Sequence, residues 1–150
     1  MKVELAIPAD WALTRTARDG RETLDVDGGL SIELDEPAAP SEDGRAMIEA
    51  VAARDPIDGT TVERAGHVTA STTDGVPFSL SSIKLRDATN SVVEGRLIAC
   101  YDFGDVIATV CCRMRGRDVL ARFGPAIEPL LASARLDRRT SPPRIDDLFR

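Results

Sequence analysis

The sequence predicts an α+β protein, an antiparallel β-sheet of about six strands with helices packed on its faces. Three observations carry this. Leu24 and Val26, then Leu30, Ile32 and Leu34, alternate with polar residues around Asp27-Gly28-Gly29, the pattern of a hairpin with a glycine turn. Residues 97–101 and 106–112 are two runs of successive apolar residues, as in strands covered on both faces. Leu120, Phe123, Ile127, Leu130 and Leu131 then recur every three or four positions, one stripe of an amphipathic helix.

A chain of 150 residues fits one domain, and folding at that length buries about 70% of the unfolded surface, enough for a sizeable core. The domain is expected over residues 1–137. Residues 138–150, with Arg138-Arg139-Thr140-Ser141-Pro142-Pro143, have too little apolar area to pack and read as a flexible C-terminal tail. With 19 basic against 25 acidic residues, net charge −6, the surface repels phosphate backbones and anionic lipid. No nucleic-acid and no membrane partner is expected.

Taken in order, Val3, Leu5 and Ile7 alternate with Lys2, Glu4 and Ala6 as a strand that Pro8 stops. Trp11 and Leu13 continue its apolar side, and Arg18-Asp19-Gly20 reads as a polar connection. After the 24–34 hairpin, Ser41 is a candidate N-cap for a helix whose stripe is Met47, Ile48, Val51 and Ala52, ended by Asp55-Pro56. Residues 60–86 are rich in β-branched residues and serine, with a turn at Thr73-Asp74-Gly75. There Val76, Phe78 and Leu80 share one phase, while Ile83 and Leu85 take the other. That change predicts a β-bulge at Ser81-Ser82. Pro77 marks a strand start or an edge.

The two apolar runs belong at mid-sheet, joined by a turn over Asp102–Asp105 that sets Tyr101 opposite Val106 and Cys100 opposite Ile107. Gly124-Pro125 and Pro129 predict a break in the following helix near Gly124.

Few residue types point to chemistry. Asp25, Asp27 and the glycines lack the spacing and late glutamate of a calcium loop, so a turn is the reading. His67 is the only histidine, without Cys or His at ligand spacing, and reads as a surface or hydrogen-bonded side chain rather than a base or ligand. Cys111 and Cys112 are adjacent; on a strand their sulfurs diverge, and no disulfide with Cys100 is expected. A thiol-dependent sensor or enzyme using this pair, with Arg113 and Arg115 supplying positive charge, is the weakest of three readings. No signal-peptide h-region follows Met1, which predicts a cytoplasmic protein; a leader upstream would change that.

The residues Ile7-Pro8-Ala9-Asp10-Trp11 near the start and Phe123 to Ser133 near the end give a pattern that resembles the DcrB-like, bacterial branch of the PsbP-like proteins, over roughly residues 3 to 137. The resemblance implies an α/β/α sandwich with no chemistry of its own. One cytoplasmic subgroup of that family, the Eag chaperones, holds apolar segments of secreted type VI effectors as a dimer; another is periplasmic and lipid-anchored. The family's groove is a matter of shape, so it maps onto no particular positions here.

The expected function is a non-catalytic protein-binding module, a chaperone or adaptor for a secreted effector or other apolar segment, with no cofactor and with homodimerisation as an option. The alternative is an assembly subunit that docks on a neighbouring subunit through its tail. Candidate partner-binding residues are Ile145, Leu148 and Phe149, which would share one face of a helical turn, together with Trp11 and Phe78. Trp11 has two readings, an anchor covering a core edge or a ligand-facing ring.

Overall fold

A computed structural model of the chain describes residues 1–40 and 44–139. The α+β prediction holds, with more strands than expected. Among the described residues, nine strands and two helices run in the order β1 (Lys2–Glu4), β2 (Leu13–Arg18), β3 (Arg21–Val26), β4 (Leu30–Asp35), α1 (Gly44–Ala52), β5 (Thr61–Ser71), β6 (Pro77–Arg86), β7 (Val92–Asp102), β8 (Ile107–Arg115), α2 (Arg117–Ala132) and β9 (Arg135–Asp137). Seven of them form one antiparallel sheet in the order β2-β3-β4-β8-β7-β6-β5. β1 and β9 make a separate two-stranded ladder.

The expected hairpin is β3–β4, and its turn needs glycine: Gly28 and Gly29 have φ of 104° and 101°, and a Cβ on Gly29 would come within 2.8 Å of Val119 Cγ2. The two apolar runs are β7 and β8, and β8 is the middle strand of the seven. Each of these strands feeds both faces. Ala99, Tyr101, Ala108, Val110, Cys112 and Met114 join Leu24, Val26, Leu30, Ile32, Leu34 and Phe78 in a large cluster under α2, which adds Phe123, Ile127, Leu130 and Leu131. Ile98, Cys100, Ile107 and Cys111 join Ile83 and Leu85 in a smaller cluster under α1, with Ile48 and Val51. Adjacent Cys111 and Cys112 therefore lie on opposite faces, and all three thiols are free and buried. Burial pushes Cys100 and Cys111 up to about 11 and Cys112 further still.

Several expectations are corrected. The first strand stops at Glu4 and pairs with β9 rather than entering the main sheet. Leu5 and Ile7 instead pack sideways on the α2-side cluster. The polar connection read at Arg18-Asp19-Gly20 is the turn between β2, a strand the sequence reading did not assign, and β3, with Asp19 and Gly20 at positive φ. The central turn is Phe103 to Val106, closed by the Phe103 N–H on the Val106 carbonyl at 3.0 Å. Tyr101 accordingly faces Ala108, and Cys100 faces Thr109.

The bulge is not at Ser81-Ser82. β6 pairs without interruption from Phe78 to Leu85 along β7, and the extra residue is Ala65 of β5, between Arg64 and Gly66. The change of apolar phase in β6 has a different cause. Phe78 belongs to the α2-side cluster, and Ile83 and Leu85 to the α1-side cluster, so one regular strand serves a different helix at each end.

Helix α2 continues from Arg117 to Ala132 through both prolines. Pro125 and Pro129 are exposed and four residues apart, so the carbonyls they leave unpaired, those of Ala121 and Pro125, lie on the wet face. Ser41, the candidate cap of α1, lies outside the described residues. Pro77 does begin a strand.

Candidate functional site

Helix α1 packs on β6, β7 and β8 through Ile48 and Val51, and the loop after it is fixed by arginines from the sheet. Arg96 is buried to 1% exposure. Its Nε donates to Glu94 Oε2 at 2.5 Å, and its two terminal nitrogens donate to the carbonyls of Arg54 and Asp55 at 2.7 and 2.8 Å. Those carbonyls belong to the loop just past the end of α1 at Ala52, and a buried carbonyl needs such a donor. Arg54 in turn grips Asp35 with two hydrogen bonds of 3.0 and 2.6 Å. Thr109 donates to the same carboxylate at 2.9 Å, and Arg21 does so at 3.2 Å. Arg113 bridges Glu33 at 3.2 Å and Asp55 at 2.8 Å.

Burial pushes the Asp35 carboxyl upward, but the hydrogen bonds from Arg54 and Thr109 and the charges of Arg54 and Arg21 outweigh it. The group ends below the usual carboxylate range.

This anchoring sets one wall of a groove. Between α1 and the β5–β6 hairpin lies a cleft of about 330 Å³, lined by Arg45, Ile48, Glu49 and Ala52 from the helix and by Arg64 to His67, Ser81, Ser82 and Ile83 from the strands. Arg64 spans the cleft to Glu49 with two hydrogen bonds, which hold the Glu49 carboxyl below its usual range. The outer border of the cleft is β5, the last strand of the sheet, and all eleven of its residues are exposed. Val62 and Val68 stand on it at 58% and 56% exposure, the two most exposed large apolar residues among the described residues. The opposite edge, β2, has six residues and carries Arg15 and Arg18.

His67 lies in this cleft, where the β5–β6 register sets it directly opposite Ser81. Its Nδ1 is 2.7 Å from Ser81 Oγ. The other ring nitrogen has no partner among the described residues, so no third group orients the ring as nucleophilic catalysis by serine requires. The described residues contain no group of three or more His, Cys, Asp and Glu that could hold a metal ion. None of the described helices is long and apolar enough to cross a membrane.

Of the sequence-predicted partner residues, the structure describes Trp11 and Phe78. Ile145, Leu148 and Phe149 lie outside the described residues. Phe78 is 5% exposed, stacked at a tilt on Tyr101 with centroids 5.0 Å apart, and offers a partner almost no surface. Trp11 is half-buried and meets the Phe123 ring edge-on at 5.4 Å. It shares a shallow depression of about 360 Å³ with Val26, Asp27, Arg122 and Ala126.

Sequence reasoning placed strands over residues 60–86 but did not single out β5 as a surface. An available signal was the mixture of Gly, Ala, His and Thr over residues 65–70, which offers no continuous apolar face for a helix to cover.

No protein-family model matches the chain, and no curated protein matches it. Among the solved structures that share its architecture are two that do so over almost its whole length. The solution structure of cyanobacterial PsbP (CyanoP) from Synechocystis sp. PCC 6803 superimposes with a TM-score of 0.62 at 12% identity, covering 90% of this chain and 86% of that one. The fold is PsbP-like. The crystal structure of the Saccharomyces cerevisiae Ran-binding protein Mog1p gives a TM-score of 0.56 at 10% identity, with 89% of each chain covered. At such identities the likeness establishes the PsbP-like fold and nothing finer, so function has to be argued from the cleft and the free edge.

Proposed function

We propose that this protein is a non-catalytic protein-binding module that receives a segment of another protein along β5 and the cleft beside it. The observation that carries this is the length and exposure of β5. An edge strand presents a row of unpaired N–H and C=O groups, and folds usually shorten, charge or cover such a row. Here β2 is short and carries arginines, whereas β5 runs for eleven exposed residues, of which Gly66 to Ser71 carry no carboxylate, lysine or arginine. Strand addition to such an edge is a recurrent mode of peptide recognition, in which main-chain bonds supply affinity.

That one structural neighbour bears the name of a Ran-binding protein agrees with protein binding on this scaffold. In its finer form the reading is a cytoplasmic chaperone or adaptor for an apolar segment of a secreted protein, as the resemblance to DcrB-like proteins and their effector chaperones implies.

Photo-crosslinking in the native host tests it. A crosslinking residue placed at Val62 or Val68 is expected to trap a discrete protein, and one at Thr14 or Thr16 of β2 is not. Equal trapping from both edges, or none from β5, rejects the reading.

A further inference from the structure

Resting on that reading, we infer that the β5 edge selects an extended segment with two unlike rows of side chains, acidic towards α1 and apolar on the other side. Alternation along a strand fixes which residues of β5 a neighbouring strand would meet on each face. The register with β6 sets Arg64 opposite Ile83 and His67 opposite Ser81, which puts Arg64 and His67 on the α1 side. Val68 and Ala70 stand opposite Leu80 and Phe78, on the α2 side. The rows are distinct only over Arg64 to Ala70, because at the start of the strand Val62 lies opposite Leu85 on the α1 side and Glu63 opposite Lys84 on the α2 side, so the selection is assigned to that half of the edge. Ala65, the bulged residue, keeps both halves of the strand in phase with these faces.

On the α1 side the cleft wall adds Arg45 and Glu49. One carboxylate therefore faces two guanidinium groups and an imidazole, and that carboxylate is already engaged by Arg64. This is a locally basic border on a protein whose net charge is −6. An incoming glutamate or aspartate row finds complementary charge there, and a lysine row meets like charge. On the α2 side the exposed Val68 and half-buried Leu80 offer an apolar strip, so the alternate residues of the guest strand are apolar. The partner is thus an amphipathic, acidic extended segment of another protein.

The probes are two blocked octapeptides, one alternating isoleucine with glutamate and the other isoleucine with lysine, titrated into the full chain and followed by amide hydrogen exchange. The glutamate peptide is expected to slow exchange across residues 62–71 and to bind at least about tenfold more tightly than the lysine peptide. A Val68→Lys variant, altered only at an exposed position, is expected to lose this binding. A variant with Arg45→Glu and His67→Glu, both exposed, is expected to reverse the preference.

Equal binding of the two peptides along β5 overturns the charge selection while leaving the strand-addition reading intact. Protection at β2 instead overturns both. So does a chain that is already dimeric, with β5 amides protected before any peptide is added.

Discussion

The two faces of the central sheet are built on different physics. On the α2 side the sheet contributes a large apolar surface, and buried within it Tyr101 donates its hydroxyl to the Leu131 carbonyl at 2.6 Å. On the α1 side only a small apolar patch exists, and the helix is secured by arginines reaching from β7, from β8 and from its own C-terminal loop. Apolar packing is indifferent to direction, whereas a guanidinium fork specifies where a carbonyl or carboxylate must sit. The first face stabilises the molecule, and the second fixes the position of α1, hence the width of the cleft beside β5.

The comparison breaks most visibly at Arg96. Replacing it by alanine leaves buried Glu94 with only the exposed Arg115 at 3.0 Å and two carbonyls without their donors, an expected loss of about 3 kcal/mol in urea unfolding. Exchanging Glu94 for leucine and Arg96 for methionine together is expected to cost less than the single change, because no buried charge is then left behind. A double variant as unstable as the single one would show that the arginine packs rather than pairs.

On the other face, Ile127→Ala removes a fully buried side chain from under the sheet, with an expected cost of about 2–5 kcal/mol. Amide exchange in α1, relative to global opening, should stay unchanged. Selective loosening of α1 would mean that the faces are not independent.

The smallest effect concerns acid. The folded Asp35 carboxyl lies below its ordinary value, which is about 3.9 in an unfolded chain. Such a group stabilises the fold above that value, and the contribution disappears as pH falls through the folded pKa. Asp35→Asn is therefore expected to be less stable than the parent at pH 7 and to lose less further stability between about pH 4 and 2. Parallel acid profiles for the two proteins would remove Asp35 as the source.

Much of the architecture is legible in the residues because burial imposes its own period. The continuous apolarity of residues 97–101 and 106–112 announces strands covered on both sides, and they are the fourth and fifth strands of seven. The stripe from Leu120 to Leu131 announces α2, and Met47, Ile48, Val51 and Ala52 announce α1. What misled were features that are strong only locally. Two exposed prolines suggested a broken helix, although their freed carbonyls can turn to water. A phase change in β6 suggested a bulge, although the cause lay in two helices on opposite faces.

By itself the sequence determined the α+β class, the central strands, both helices and the burial of the cysteines, since all of these follow from periodicity within one segment. The tertiary structure alone decided that β1 leaves the main sheet, that Arg96, Arg113 and Asp35 meet the loop after α1, and that β5 is an edge. These depend on which segments become neighbours across long stretches of chain. The mixed composition of residues 65–70 hints at an uncovered face but does not say whether the strand has one neighbour or two, and a free edge exists only once the order of the sheet is set.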